Sequence, residues 1–133
     1  AESEVEIDRL MAETGDAVGL LFDTGHIVAG GGDLGRVLAH HGRRINHIHL
    51  KDIRRDVFAD VRQRDASFNA GVRAGMFTVP GDGYIDYSPV IEFARSDAYT
   101  GRLVVEAEQD PGQAPSVEYA DKAMHTVGSL LDG

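Results

Sequence analysis

One pattern recurs three times along this chain. A short apolar run is closed by carboxylates or imidazoles, and a stretch with helical periodicity follows. The first run is Ala17-Val18-Gly19-Leu20-Leu21-Phe22, closed by Asp23, Thr24, Gly25 and His26. The second, Ile45 to Leu50, alternates in character and carries His47 and His49 ahead of Lys51 and Asp52. The third, Arg102-Leu103-Val104-Val105, runs into Glu106, Ala107 and Glu108. Short, nearly unbroken apolar runs read as strands covered on both faces, the habit of parallel sheets.

The segments between them read as helices. Ser3 stands three residues before Glu6, the spacing of a capping box, and Ile7, Leu10 and Met11 then line one face. Gly15 is placed to end that helix. Gly30, Gly31 and Gly32 form a turn, and Asp33 caps a helix through about His41. The G-x-G-x-x-G spacing of a dinucleotide site is absent there. From Ile53 to about Asp82 runs a long polar segment with short helices near Val57–Val61 and Phe68–Val72, closed by the turn Pro80-Gly81-Asp82-Gly83. A connection of that length is more often functional than passive. Ser88-Pro89 opens a helix through about Ser96, with proline at its favoured first position. A last helix runs from about Ser116 to Leu131. Alternating helices and strands imply an α/β fold with right-handed parallel crossovers. The three strands are expected parallel and adjacent in the order 17–22, 45–50 and 102–107, within one domain piece spanning 1–133. Three strands cannot close a barrel, so the chain is expected to be part of one.

Charge and composition narrow the function. Acidic residues outnumber basic ones 22 to 13, a net charge of −9, which repels phosphate backbones and argues against nucleic-acid partners. No cysteine is present, so disulfide frames and thiolate chemistry are excluded, and a reducing cytoplasm is expected. The longest apolar run is too short to span a bilayer, so no membrane partner is expected. Ala1-Glu2-Ser3-Glu4 has neither the basic start nor the apolar run of a leader.

In a parallel α/β barrel the C-terminal strand ends converge on one mouth. A carboxylate, an imidazole and a second carboxylate facing that mouth would suit Mn²⁺, Mg²⁺, Co²⁺ or Zn²⁺. Alternation puts His47 and His49 on one side, and likewise Glu106 and Glu108, so alternation alone does not choose within each pair. Each residue also has a plainer role. Asp23 can serve as a turn-forming residue after a strand. A lone strand-end histidine is more often structural than a ligand, and His40 and His41 read as solvated residues at a helix end. Glu106 is harder to explain away, because an ionised carboxylate at a sheet core needs a partner.

At these residues the chain resembles a known family. Asp23-Thr24-Gly25-His26, His47-Ile48-His49-Leu50-Lys51-Asp52, Pro80-Gly81-Asp82-Gly83 and Val104-Val105-Glu106 are similar to motifs of the xylose-isomerase-like superfamily. The longer strings from Gly19 to His26, Phe77 to Gly83 and Val104 to Pro111 look like its myo-inosose-2 dehydratase branch. That resemblance implies a partial (βα)8 TIM barrel, namely its last three parallel strands with their helices. It implies a divalent metal, Mn²⁺ or Co²⁺ first and Mg²⁺ or Zn²⁺ as alternatives. Asp23, His49 and Glu106 match three metal-ligand positions, His26 matches a neighbouring substrate or metal-shell position, and a fourth ligand would come from a preceding strand. The implied activity is that of a carbon–oxygen lyase in inositol catabolism, dehydrating 2-keto-myo-inositol (scyllo-inosose) to a trihydroxycyclohexanedione through an enediolate. His26, Lys51 and Glu106 are then candidates for proton transfer and oxyanion stabilisation. Arg54 and Arg55 are candidates for reaching substrate hydroxyls, solvated loop arginines being the alternative. The expected partner is a small polyol ketone, with a homo-oligomer left open and the isolated piece expected to be inactive. Two other readings stay open: a ketose 3-epimerase or sugar isomerase that reprotonates instead of eliminating, and a non-catalytic half-barrel binding through its open sheet edge.

Overall fold

The computed structural model describes residues 3–133, so Ala1 and Glu2 of the leader argument lie outside the described residues. Seven α-helices, five strands and one short 3₁₀ turn (Gly42–Arg44) make up these residues. In order they are α1 (Glu4–Glu13), β1 (Leu20–Asp23), α2 (Thr24–Ala29), α3 (Leu34–His41), β2 (Ile45–Leu50) and β3 (Asp52–Ile53). There follow α4 (Arg55–Gln63), α5 (Phe68–Arg73), β4 (Phe77–Thr78), α6 (Ser88–Arg95), β5 (Arg102–Val105) and α7 (Ser116–Asp132). The chain folds as two compact units, Ala1–His49 with Asp86–Val104, and Leu50–Ile85 with Val105–Gly133.

The first unit is built on a sheet in the order β1-β2-β5, its strands parallel as expected. Register pairs Leu21 with His47, Phe22 with Ile48 and Asp23 with His49. Because side chains alternate, this fixes the two faces. Phe22 and Ile48 are 0% exposed on one, whereas Leu21, beside Asp23, His47 and His49 on the other, is 48% exposed. Burying side chains of the Phe22 and Ile48 kind contributes roughly 1.5–3 kcal/mol each. Ser3 caps α1 in the expected capping box, and Ile7 and Met11 turn into the core. The helix stops at Thr14 in extended conformation, one residue before the expected Gly15. Arg44 ties the link from α1 to β1, donating to the carbonyls of Met11, Gly15 and Val18 and to Thr14 Oγ1.

β1 begins at Leu20, later than the expected Ala17, and a reason lies at Gly19. A Cβ there would fall 2.0 Å from Asn46 Nδ2, so this stretch is a close passage against β2 rather than strand. The sequence reading also missed α2. Asp23 caps it, Gly30 ends it, and Gly31 follows at φ +81°, a conformation open to glycine.

The second unit contains the long polar segment, which is not structureless. β3 pairs antiparallel with β4, Asp52 opposite Thr78 and Ile53 opposite Phe77, and the ribbon closes a hairpin of α4 and α5. The two short helices were expected, but the ribbon was not. Ile53, Val61, Met76, Phe77 and Val79 form its core, and Gly71 makes room for the Met76 sulfur, which a Cβ would approach to 2.5 Å. α7 turns Ala123 and Val127 inward.

Candidate metal centre

Asp23 is at once the last residue of β1 and the N-cap of α2. Oδ1 accepts a hydrogen bond from the His26 backbone N–H at 2.9 Å, the work of an N-cap. Oδ2 lies 3.4 Å from His49 Nδ1, across the register pair that joins β1 to β2. Turn former and candidate ligand are therefore not exclusive readings, because the carboxylate has two oxygens. His49 shares its face with His47, the two rings 5.1 Å apart and tilted by 70°. Thr24 Oγ1 donates to the His49 carbonyl at 3.3 Å, steadying the strand end. His26 sits half-buried in the first turn of α2.

In the second unit Lys51 is 1% exposed, a depth a lysine occupies only with charge partners. Its Nζ is 2.5 Å from Glu106 Oε2, 3.7 Å from Glu108 Oε2 and 4.9 Å from the centre of the Phe77 ring. The Glu106 backbone N–H donates to the Leu50 carbonyl at 3.2 Å, extending the order of β5 by one residue. Glu106 Oε2 and the Lys51 ammonium thus form a close ion pair. Asp52, grouped by sequence with the strand-end residues, does something else. Its Oδ1 accepts from the N–H groups of Ile53 at 2.8 Å and Ile85 at 2.9 Å. Burial pushes the Asp52 carboxyl above the usual range, and these backbone hydrogen bonds pull it part of the way back.

Arg54 belongs to a cluster that the sequence reading did not find. Its guanidinium donates to Asp82 Oδ2, to the carbonyls of Gly75 and Phe77, and to the Tyr119 hydroxyl. Asp82 also accepts from Lys122 Nζ at 2.6 Å and from Thr78 Oγ1 at 2.7 Å, and Gln109 Nε2 donates to that same Thr78 oxygen. Burial alone would raise the Asp82 pKa. The hydrogen bonds from Lys122 and Thr78 and the nearby Arg54 charge outweigh it and hold the carboxyl below the usual range. The same bond raises Lys122. Arg54 thus serves the framework of its unit. Arg55 is exposed, with its guanidinium 4.4 Å from the centre of the Tyr84 ring. Sequence signals for the cluster were weak, since Arg54 and Lys122 lie 28 and 40 residues from Asp82.

Residues 2–127 match the family described as the xylose isomerase-like TIM barrel. The chain belongs to that family. It is 55% identical over 123 residues to the inosose dehydratase of Geobacillus thermodenitrificans, which covers 92% of this chain and 41% of that protein. With the inosose dehydratase of Erwinia tasmaniensis it shares 52% over 125 residues, 92% of this chain and 42% of the relative. The rhizopine catabolism protein MocC of Rhizobium meliloti is 50% identical over 119 residues, 90% of this chain and 37% of that one. The chain therefore spans about two-fifths of the length of these curated relatives. Among solved structures, a crystal structure of the IolI protein with a bound zinc atom superposes with a TM-score of 0.67 at 18% identity, over 98% of this chain and 44% of that one. The architecture is accordingly a partial barrel. In a TIM barrel the C-terminal strand ends form the functional mouth. Asp23 and His49 stand at that end of β1 and β2, and Glu106 directly follows β5. No helix among the described residues is long and apolar enough to cross a membrane.

Proposed function

We propose that this chain carries most of the metal centre of an inosose dehydratase, with Asp23, His49 and Glu106 as three ligands of one divalent ion. The observation that carries this reading is the Asp23–His49 pair, in register at the C-terminal ends of neighbouring parallel strands with Oδ2 and Nδ1 3.4 Å apart. The donors fit an ion. Asp23 Oδ2 and His49 Nδ1 are Lewis bases facing each other, and Glu106 adds a second carboxylate, ion-paired with Lys51. Mixed oxygen and nitrogen donors favour Mn²⁺, Co²⁺ or Zn²⁺ and accommodate Mg²⁺, with Mn²⁺ or Co²⁺ the first choice. The fourth ligand and the other strands would come from a longer polypeptide, in keeping with the length of the relatives.

The substrate class follows from those relatives, two of them named inosose dehydratases and about half identical to this chain. Bound, the ion supplies Lewis-acid polarisation of the substrate ketone. Dehydration then breaks a C–H bond beside the ketone and a C–O bond on the next carbon, and the proton and hydroxide leave together as water. In this reading Glu106 would accept the proton, and Lys51, ion-paired with the Glu106 carboxylate, would give one to the departing hydroxyl. His26, beside the Asp23 cap, would hold a substrate oxygen, and Arg55 would reach ring hydroxyls. Arg54 is left out of substrate contact because Asp82 and two carbonyls engage it. A neutral polyol suits a chain of net charge −9. The reading keeps the cytoplasmic location expected of a chain without cysteine.

The test uses the longer polypeptide containing this chain, stripped by chelator and restored with Mn²⁺ or Co²⁺, while 2-keto-myo-inositol turnover is followed by diketone absorbance. Turnover should vanish on stripping and return with the ion. Full turnover in the stripped protein would overturn the metal role. An epimerised ketose without diketone would move the chain to the epimerase side of the family.

A further inference from the structure

A second group of metal-capable side chains stands on the first unit at the end where β2 begins, whereas His49 is near the other end of that strand. The run from Ile45 to His49 alone covers about 13 Å. Asp8 comes from α1, and His40 and His41 close α3. Adjacent residues of a regular helix do not face each other. Here the backbone leaves helical geometry at His41, at φ −121° and ψ 4°, and a short 3₁₀ turn takes over. The two imidazoles end up 6.0 Å apart and nearly perpendicular. His41 Nε2 is 2.7 Å from Asp8 Oδ1, and one ligand atom from each of the three residues lies within 4.8 Å of the others.

We propose that Asp8, His40 and His41 form a second divalent-metal site that pins α1 to the C-terminal end of α3. Two imidazoles and one carboxylate select Zn²⁺, Cu²⁺, Ni²⁺ or Co²⁺ over Mg²⁺ and Ca²⁺. A tetrahedral ion with bonds of roughly 2.0–2.2 Å holds its ligand atoms about 3.3–3.6 Å apart. Reaching that arrangement takes a shift of about an ångström in side chains of which Asp8 and His40 are exposed, with water filling the fourth position. The ion takes the place of the hydrogen shared by Asp8 and His41, and the neutral His41 ring keeps its hydrogen on Nδ1. Asp16, Arg43 and Arg44 line the same open pocket. The Arg44 guanidinium is held on the carbonyls of Met11, Gly15 and Val18. The sequence reading treated His40 and His41 as solvated helix-end residues, because Asp8 lies 33 positions from His41.

Zn²⁺ titration by calorimetry in a non-coordinating buffer tests the site, with circular dichroism checking that each variant keeps its fold. Asp23→Ala should bind a Zn²⁺ ion that the double variants Asp23→Ala/His40→Gln and Asp23→Ala/Asp8→Asn bind at least tenfold more weakly. Zn²⁺ should raise the unfolding temperature of Asp23→Ala and leave that of an Asp23→Ala/His40→Gln double variant nearly unchanged. Zn²⁺ binding to both double variants as tight as to Asp23→Ala, or an Asp23→Ala chain that binds none, would overturn the proposal. The strand-end reading is tested separately, since it predicts Mn²⁺ loss in Asp23→Ala and none of the effects of His40→Gln.

Discussion

Asp82 and Asp23 are both largely buried carboxylates at the end of a short strand or turn, and they are served by different chemistry. Asp82 receives a lysine, an arginine and a hydroxyl from its own unit. Those partners supply full positive charge, so the cluster is balanced by the chain itself. Asp23 offers one oxygen to a helix N-terminus and turns the other towards His49 Nδ1, 3.4 Å away. An aspartate matched to fixed cations is architecture. An aspartate beside an imidazole nitrogen is the arrangement we propose for an ion from outside.

The sharpest way to break that contrast is to remove each carboxylate and compare what is lost. Asp23→Ala or Glu106→Ala in the longer polypeptide should abolish Mn²⁺ retention and lower turnover by more than the roughly 10–100-fold typical of outer-shell changes. Metal analysis and the diketone assay check this together; a variant that keeps both its Mn²⁺ and its turnover removes Asp23 from the ligand set. Asp82→Ala should do the opposite, sparing the metal donors and destabilising the fold by about 2–4 kcal/mol, because Arg54 is left half-buried without its carboxylate. Denaturant unfolding measures it, and a loss below about 1 kcal/mol would mean the cluster is ornamental.

The acid side of stability should carry the Asp82 signature. Its folded pKa is lowered, so its contribution is present above the unfolded value of about 3.9 and fades as pH falls through the folded one. Unfolding profiles of wild type and Asp82→Asn should therefore converge in strong acid, and parallel profiles down to the lowest pH would contradict this. Asp52 runs the other way. Its raised pKa means a contribution present below about pH 3.9 and lost as pH rises through the folded value. Asp52→Asn keeps an acceptor for the Ile53 and Ile85 amides and should change neutral-pH stability by under about 1 kcal/mol, while Asp52→Ala orphans both and should cost about 1–3 kcal/mol. The smallest effect belongs to Lys122→Ala, about 0.5–1 kcal/mol, since that side chain is more than a third exposed.

What the sequence made legible tracks how local each signal is. β2 was read at its true bounds because Ile45 to Leu50 alternates cleanly, and α1 because Ser3 and Glu6 lie within one turn. β1 was read too long, since an apolar Ala17-Val18-Gly19 looks like strand until Asn46 is seen against Gly19. α2 escaped because Thr24-Gly25-His26-Ile27-Val28-Ala29 has no amphipathic stripe, and its start is signalled only by the Asp23 cap. The β3–β4 ribbon has two residues on each side, too few for any period to show. Of the candidate site, Asp23 and His49 were legible as strand-closing residues, and their pairing followed from a register that only the folded chain displays. The Asp82 cluster depended wholly on contacts between distant parts of the sequence.

The central claim, that Asp23, His49 and Glu106 hold one divalent ion, is tested most directly by crystals of the longer polypeptide grown with Co²⁺. The quantity to measure is the anomalous difference density at the cobalt absorption edge. A peak is expected about 2.0–2.3 Å from a side-chain oxygen of Asp23, a ring nitrogen of His49 and a side-chain oxygen of Glu106. A fully loaded crystal with no peak at these three residues would contradict it.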